Sequence, residues 1–194
     1  MKIYTKTGDK GTTALYGGGR MPKNSLLFDV IGEFDELSSR IGILCSQIAD
    51  SQLVVTPIST LRVIQSDLQD LNSIIAGLRS SKRKPSFGED KVSFLEQLID
   101  KWEKDNTPLT KFILPGVTSV DSAAHMCRTQ SRKAERYIYR LHNSILPPKN
   151  SKSKEIIISI DPIILQYVNR LSDFFFVLAR WLCKRLGKSD AYKV

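Results

Sequence analysis

The strongest constraint on the fold is a run of apolar residues spaced alternately three and four positions apart within residues 56–78. Because an α-helix has 3.6 residues per turn, this spacing places the whole run on one stripe of a helix. A stripe that continues along the entire segment is typical of a helix packed along its length in a bundle. The run consists of Leu61, Ile64, Leu68, Leu71, Ile75 and Leu78.

Similar spacing predicts four more helices. One runs from about Phe28 to Ile48, one from Val92 to about Asn106, and one from Pro162 to about Leu186. The remaining helix follows Thr118 or Ser119, either of which can cap its N-terminus. Residues 79–90 and 142–159 are rich in basic residues, contain proline and are predicted to be surface loops. Since no linker divides residues 1–194, we expect a single helical domain, with residues 1–24 as a loop ahead of a bundle at 25–186.

The composition narrows the classes of function. The 29 Lys and Arg residues against 20 Asp and Glu give a net charge of +9, which favours an anionic partner such as a nucleotide, a nucleic acid or a membrane surface. Cys45, Cys127 and Cys183 are far apart in apolar contexts and are predicted to be core thiols in a reducing compartment. With only His125 and His142, neither a histidine-based metal site nor a histidine-dependent triad is expected. No apolar run is long enough to span a membrane, and no presequence is visible, so we expect a cytoplasmic protein.

The fourth helix carries an unusual concentration of charge between residues 128 and 136. Arg128, Arg132 and Arg136 recur every four residues, and we expect Ser131 and Glu135 to share their face. Guanidinium groups spaced in this way repel one another unless an anion lies between them, and they suit phosphate and carboxylate oxygens. The stripe therefore indicates an anion-binding wall, with a solvated basic face as the alternative. The core-facing stripe of the same helix is Val120, Ala123, Cys127, Ala134, Ile138 and Leu141.

The N-terminal residues 1–23 have the chemistry of a phosphate cradle. Gly8 and Gly11 let backbone N–H groups converge, and the neighbouring threonine hydroxyls and lysines add donors and positive charge. The spacing excludes a Walker P-loop, and a plain turn is the alternative.

Two helices are expected to have a second face that points away from the core. The first helix presents Gly32, Asp35, Ser39 and Gly42, and the last presents Asn169, Asp173, Phe176 and Arg180. This arrangement indicates a site between subunits or at the edge of a bundle.

Several ordered motifs resemble the PduO-type ATP:corrinoid adenosyltransferases. They are TKTGDKGTT at 5–13, RMPK at 20–23, GEFDELSS at 32–39 with IG at 41–42, FILPG at 112–116, RTQSRKAER at 128–136, and NRLSD at 169–173 followed by FF and LAR up to residue 180. The resemblance covers nearly the whole chain. It implies an all-α, up-down, left-handed five-helix bundle that assembles as a homotrimer, with an active site at each subunit interface.

The resemblance also implies the site residues. ATP would be held by Thr5, Lys6, Thr7, Gly8, Thr13, Ala14 and Lys23 of one chain and by Arg132, Lys133, Glu135, Arg136 and Asn169 of its neighbour. Arg128 and Asp35 match an intersubunit salt bridge beside the corrin, and Phe112 matches an aromatic residue that blocks the lower face of cobalt. Lys133 stands where the family often has a second arginine, so a bidentate contact would become a point charge.

The implied reaction transfers the 5′-deoxyadenosyl group of ATP to the cobalt of cob(I)alamin and releases triphosphate, with Mg²⁺ accompanying ATP. The expected catalytic residues are Arg128, Arg132, Asp35 and Phe112, and a reductase and an adenosylcobalamin-dependent mutase are the implied partners. In a eukaryote the compartment would be the mitochondrial matrix. Two alternatives remain open. A nucleic-acid-binding helical protein would explain the charge, although no aromatic interleaving or binding motif supports it. A catalytically reduced carrier that delivers adenosylcobalamin would share the motifs.

Overall fold

The computed structural model describes residues 3–15, 19–51, 53, 57–78, 85–145 and 159–193. Five helices account for most of them: α1 (Leu26–Asp50), α2 (Ile58–Ala76), α3 (Glu89–Asp105), α4 (Ser119–Ile145) and α5 (Pro162–Arg185). The predicted all-α class and the five helices are thus confirmed. The boundaries differ most at α3, which begins three residues earlier than Val92, and at α4, which continues past His142. Most of the two predicted basic loops, at 79–84 and 146–158, lies outside the described residues.

The closest helix pairs are α2 with α1, α1 with α4, α4 with α5, and α5 with α3. Side chains of α2 also reach α5 and α3. Helix α5 lies between α4 and α3, and it is accordingly buried on more of its circumference than any other helix. Its aromatic side chains supply much of the core, because large rings bury the most apolar area per residue. The largest fully buried side chains are Tyr167, Phe34, Phe174 and Phe175. None of the helices in the described part of the chain is both long and apolar enough to cross a membrane.

Short polar side chains fix where α4 and α5 begin. The Thr118 hydroxyl accepts a hydrogen bond from the Asp121 amide at 3.0 Å, as predicted for a cap at this position. The Asp121 carboxylate in turn accepts from the Gly116 amide at 3.1 Å, which ties the turn before α4 to its first helical turn. Asp161 accepts from the Ile163 amide at 3.0 Å, and Pro162 opens α5. The start of α4, and hence the register of its arginines, is therefore firmly set.

Two small antiparallel sheets accompany the bundle. Strands β1 (Thr12–Ala14) and β2 (Arg20–Pro22) form a hairpin within the N-terminal segment, where the sequence predicted an irregular loop. Strands β3 (Ile113–Leu114) and β4 (Ala191–Tyr192) join the segment before α4 to the C-terminal end of the chain. The Lys193 amide extends this pairing by donating to the Phe112 carbonyl at 2.9 Å.

The prediction that Arg180 points away from the core is wrong. Arg180 is only 2% exposed, and its guanidinium is surrounded by oxygen acceptors. Its Nε donates to Asp190 at 3.0 Å, and its other nitrogens contact Glu103 and the Thr107 carbonyl. Because a buried guanidinium needs such partners, Arg180 ties α5 to the segment after α3 and to the residues before β4.

Candidate functional site

The N-terminal loop is organised by Arg20 of β2. Its Nε donates to the Thr12 hydroxyl at 3.1 Å, and its Nη2 donates to the Thr12 carbonyl at 2.9 Å and also to the Thr7 carbonyl. The Thr5 and Thr7 hydroxyls are 2.9 Å apart, within hydrogen-bonding distance. Lys6 adopts a left-handed backbone conformation with φ of 59°, which is uncommon for a residue with a Cβ and is typical of functional turns. Arg20 thus joins Thr7 to Thr12 and closes the turn between them.

Lys23 lies directly against this turn. A Cβ on Gly8 would meet the Lys23 Nζ at 3.2 Å, closer than ordinary van der Waals contact, so the glycine lets the end of this lysine lie close to the turn. The Lys23 amide also donates to the Gly11 carbonyl at 2.9 Å. Thr13 and Ala14 lie on β1 of the same hairpin. The structure therefore places the Lys23 ammonium group next to Gly8, and it places Thr13 and Ala14 on the hairpin that leads to Lys23.

The basic face of α4 is present, with one correction. Arg132 and Arg136 are exposed, and Nη1 of Arg136 donates to the Arg132 carbonyl at 3.1 Å. Glu135 accepts a hydrogen bond from Asn169 of α5 at 2.7 Å, so these two predicted site residues meet across a helix pair. Ser131 does not belong to this face. It is fully buried, and its hydroxyl donates to the Cys127 carbonyl at 2.8 Å.

Lys133 faces α1 of its own chain. Its Nζ lies 2.8 Å from Glu33 Oε1 and 3.9 Å from Glu36 Oε2. The hydrogen bond to Glu33 is the main reason that the pKa of Lys133 is raised. Glu33 is buried and also accepts from the Gln130 side chain at 2.7 Å, so the pair joins α1 to α4. The sequence did not single out Glu33 or Gln130, although Glu33 precedes the core residue Phe34 in the GEFDELSS motif.

A cavity of about 590 Å³ lies beside the start of α4. Phe112 stands at its edge with 85% of its surface exposed, an unusual position for a phenylalanine. The cavity is mainly apolar, and it brings the predicted residues Phe112 and Arg128 to one place. Its lining residues are Leu109, Thr110, Lys111, Phe112, Ile113, Pro115, His125, Arg128 and Phe176. An apolar ligand that carries a few polar groups suits such a lining.

His125 is a lining residue that the sequence did not single out. It is buried, and its Nδ1 accepts a hydrogen bond from Arg128 Nε at 3.3 Å. Burial, and then the nearby Arg128 charge, lower the pKa of His125. Burial likewise lowers the pKa of Arg128, with a further contribution from Arg132. The only sequence signal was the spacing of His125 and Arg128, because residues three apart on a helix are neighbours.

Asp35 lies on the exposed face of α1. The predicted face of small residues on α1 is open only in part. A Cβ added at Gly32 would have no atom within 4 Å, whereas one added at Gly42 would lie 3.8 Å from the Gln65 side chain of α2. The open part therefore consists of Gly32, Asp35 and Ser39. Within the described ranges of this single chain, Asp35 has no ion-pair partner, and no group of three or more His, Cys, Asp or Glu residues could hold a metal ion.

The chain resembles known proteins along nearly its whole length. A family model described as cobalamin adenosyltransferase matches residues 3–182. The corrinoid adenosyltransferase of Bacillus subtilis is 38% identical over 98% of this chain and 91% of its own length. The corrinoid adenosyltransferase MMAB of Bos taurus is 37% identical over 97% of this chain and 74% of its own length. A solved variant of the PduO-type ATP:corrinoid adenosyltransferase from Lactobacillus reuteri, complexed with cobalamin and ATP, superposes with a TM-score of 0.86 at 32% identity over 99% of both chains.

Proposed function

The chain belongs to the cobalamin adenosyltransferase family and transfers the 5′-deoxyadenosyl group of ATP to the cobalt of cob(I)alamin, and we propose that this reaction takes place where copies of the chain meet. Two clusters of site residues would contribute, one around the N-terminal turn and the basic face of α4 and the other around the cavity. The observation that carries the proposal is the cavity, which places an exposed Phe112 beside a half-buried Arg128 at the end of a basic helix face. An apolar plane and an anion site thus adjoin, as a corrin and a triphosphate require.

One cluster would hold ATP by its phosphates. The turn at residues 5–8, with Thr13, Ala14 and Lys23, offers backbone N–H groups, hydroxyls and ammonium groups to the triphosphate. From a neighbouring copy, the exposed Arg132 and Arg136, with the Glu135–Asn169 pair and Lys133, would complete the site. Mg²⁺ would bind chiefly through phosphate oxygens, since the described residues contain no carboxylate cluster for it.

The other cluster would hold the corrin. Arg128 carries a charge that nothing neutralises within the described part of its own chain, and Asp35 of a neighbouring copy is the partner that we assign to it. Phe112 would cover the lower face of cobalt and keep water away from it. The exposure of this ring in the free chain is consistent with a role toward a ligand rather than toward the core.

The chemistry needs no general base from the protein. Cob(I)alamin is itself the nucleophile, attacking C5′ of ATP as the bond to the triphosphate breaks. The protein must align C5′ with cobalt and stabilise the negative charge that develops on the leaving triphosphate, which cationic side chains and backbone N–H groups can do. Neither neutral His125 nor the buried thiols, whose pKa values are raised to about 12 at Cys127 and about 11 at Cys183, are needed as acid or base.

The direct test mixes the protein with ATP, Mg²⁺ and cobalamin reduced chemically to cob(I)alamin, and follows the absorbance change as the cobalt–carbon bond forms. We expect adenosylcobalamin and triphosphate in equal amounts. Tight binding of added adenosylcobalamin without turnover would instead indicate a carrier. In the cell, a reductase would supply the electron for Co(I), and a mutase would receive the product. Addition of such a reductase should replace the chemical reductant.

A further inference from the structure

We propose that His125 is a positioning residue that holds the guanidinium of Arg128 at the mouth of the cavity. The proposal rests on the proposed function in one respect, namely that Arg128 acts beside the bound corrinoid. His125 itself would not touch the reacting atoms. Its role would be to set the plane of a side chain that must meet a carboxylate from another copy of the chain.

The geometry supports this role. An arginine Nε carries a single N–H, and in this chain that N–H is given to His125 Nδ1 at 3.3 Å. Since Nε lies in the guanidinium plane, holding it leaves the two terminal nitrogens pointing in a defined direction. Within the described residues neither terminal nitrogen of Arg128 takes part in an ion pair, so both remain available for a bidentate contact.

The surroundings of His125 keep this acceptor in place. The side chain is 5% exposed, and its ring lies 6.3 Å from the ring of Phe176 on α5. Its charged neighbours are Arg128 and Asp121 on α4 and Asp190 ahead of β4, and Lys111 lines the same cavity. Burial lowers the pKa of His125, so the ring stays neutral near pH 7 and Nδ1 keeps its lone pair. The proton then resides on Nε2.

A held arginine has a functional advantage. Arg and Lys side chains lose considerable rotamer freedom when they are fixed, and that loss opposes binding if it occurs only when the partner arrives. In this chain the Arg128 side chain loses its rotamer freedom when the subunit folds, before the corrinoid binds. Removal of the acceptor should therefore weaken the cobalamin half of the site and leave the ATP half unchanged.

Two isosteric variants test the acceptor atom itself. In His125→Asn the amide oxygen falls near the position of Nδ1, whereas in His125→Gln the amide falls near that of Nε2 and leaves the Nδ1 position empty. We expect His125→Asn to stay within about 3-fold of wild type. We expect His125→Gln to raise KM for cob(I)alamin roughly 10-fold while KM for ATP changes by less than about 2-fold. In an Arg128→Met background the Asn and Gln variants should be equal.

Equal effects of Asn and Gln in the wild-type background would overturn the proposal, and so would a rise in KM for ATP that matches the rise for cobalamin. A readout without turnover separates this result from a failure of the proposed function. Imidazole ¹⁵N shifts, with His142→Gln to leave one histidine, should show Nδ1 unprotonated and Nε2 protonated at pH 7. A change in the ¹⁵N shift of the unprotonated Nδ1 in Arg128→Met would support the contact, because Nδ1 would lose its hydrogen bond, whereas an unchanged Nδ1 shift would contradict it.

Discussion

Arg132 is the exposed arginine at the centre of the basic face of α4, and no ion pair within the described residues uses its guanidinium. We predict that Arg132→Ala lowers kcat/KM for ATP roughly 10- to 100-fold, because one or two charge-assisted hydrogen bonds to phosphate are lost. Circular dichroism and sedimentation should be unchanged. Arg140→Ala is the matched control. Arg140 is exposed further along the same helix and lies over the ring of Tyr137 at 5.1 Å, and its removal should leave kcat/KM near the wild-type value.

Individual residues show how far the sequence alone can assign a helix face. Arg128 is half-buried and Arg132 is exposed, whereas Ser131 is buried, and its hydroxyl donates to the Cys127 carbonyl one turn earlier. Arg180 can be buried because its Nε donates a hydrogen bond to Asp190, ten residues further along the chain. Helical periodicity contains no information about such distant partners. The contact of His125 with Arg128 is local by comparison, but helical spacing alone does not show that His125 is buried beside a cavity.

Helices α2, α3 and α5 share one buried polar junction. The Tyr167 hydroxyl donates to Asp67 Oδ2 at 2.8 Å, and Lys91 pairs with Asp67 from the other side. We predict that Tyr167→Phe lowers the free energy of unfolding by about 1–2 kcal/mol, since a buried hydrogen bond to a carboxylate is lost while the ring is kept. Chemical denaturation measures this change. Tyr139→Phe, on an exposed ring of α4, should change the free energy by less than about 0.5 kcal/mol, and an equal loss would refute the role of the junction.

Strand β4 holds the backbone next to Phe112. It pairs with Ile113 and Leu114, and the Lys193 amide donates to the Phe112 carbonyl at 2.9 Å. We predict two effects in a chain that ends at Asp190 and therefore keeps the Arg180–Asp190 ion pair. Amide hydrogens within residues 109–116 should exchange faster, and the rate of turnover from cob(II)alamin with a reductant should be lower. Hydrogen-exchange mass spectrometry measures the first effect. Unchanged exchange in that peptide would show that the pairing with β4 does not stabilise residues 109–116. Amide exchange in α1, which should not change, serves as the internal reference.

At the scale of elements, the sequence predicted the helices well and the strands not at all. Each helix has an apolar stripe over about three or more turns, so its existence follows from local spacing. Strands of two or three residues are too short to show alternation, and β3 pairs with a strand that lies far along the chain. The caps at Thr118 and Asp161 were predictable because a cap is a local interaction.

Within its described part, a single chain leaves charged residues of the proposed site without partners. Asp35 and Arg128 have no carboxylate or cationic partner within the described residues, although both carry charge on partly open surfaces. Large apolar side chains are also exposed on the same two helices, among them Ile43 of α1 and Met126 and Tyr139 of α4. Exposed apolar groups beside unpaired charges are typical of surfaces that meet another protein. These observations support the proposal that copies of the chain associate through α1 and α4.

Mixing two impaired variants tests whether the site is shared between subunits. Lys23→Ala removes the ammonium beside Gly8, and Arg132→Ala removes the arginine of the basic face. In a ring of three, each site would use the N-terminal loop of one chain and α4 of the next. After an equimolar mixture is dissociated and reassembled, about a quarter of the sites should combine two intact halves and recover activity, by random cyclic pairing.

The two variants mixed without subunit exchange provide the control and should keep the low activity of the single variants. Recovery of about a quarter of wild-type turnover after exchange requires that the loop and the arginines of one site come from different chains. If each chain holds a complete site of its own, every site in the mixture carries one defect and activity stays at the level of the single variants. A monomer in sedimentation velocity would give the same negative result, and either outcome would overturn the shared site.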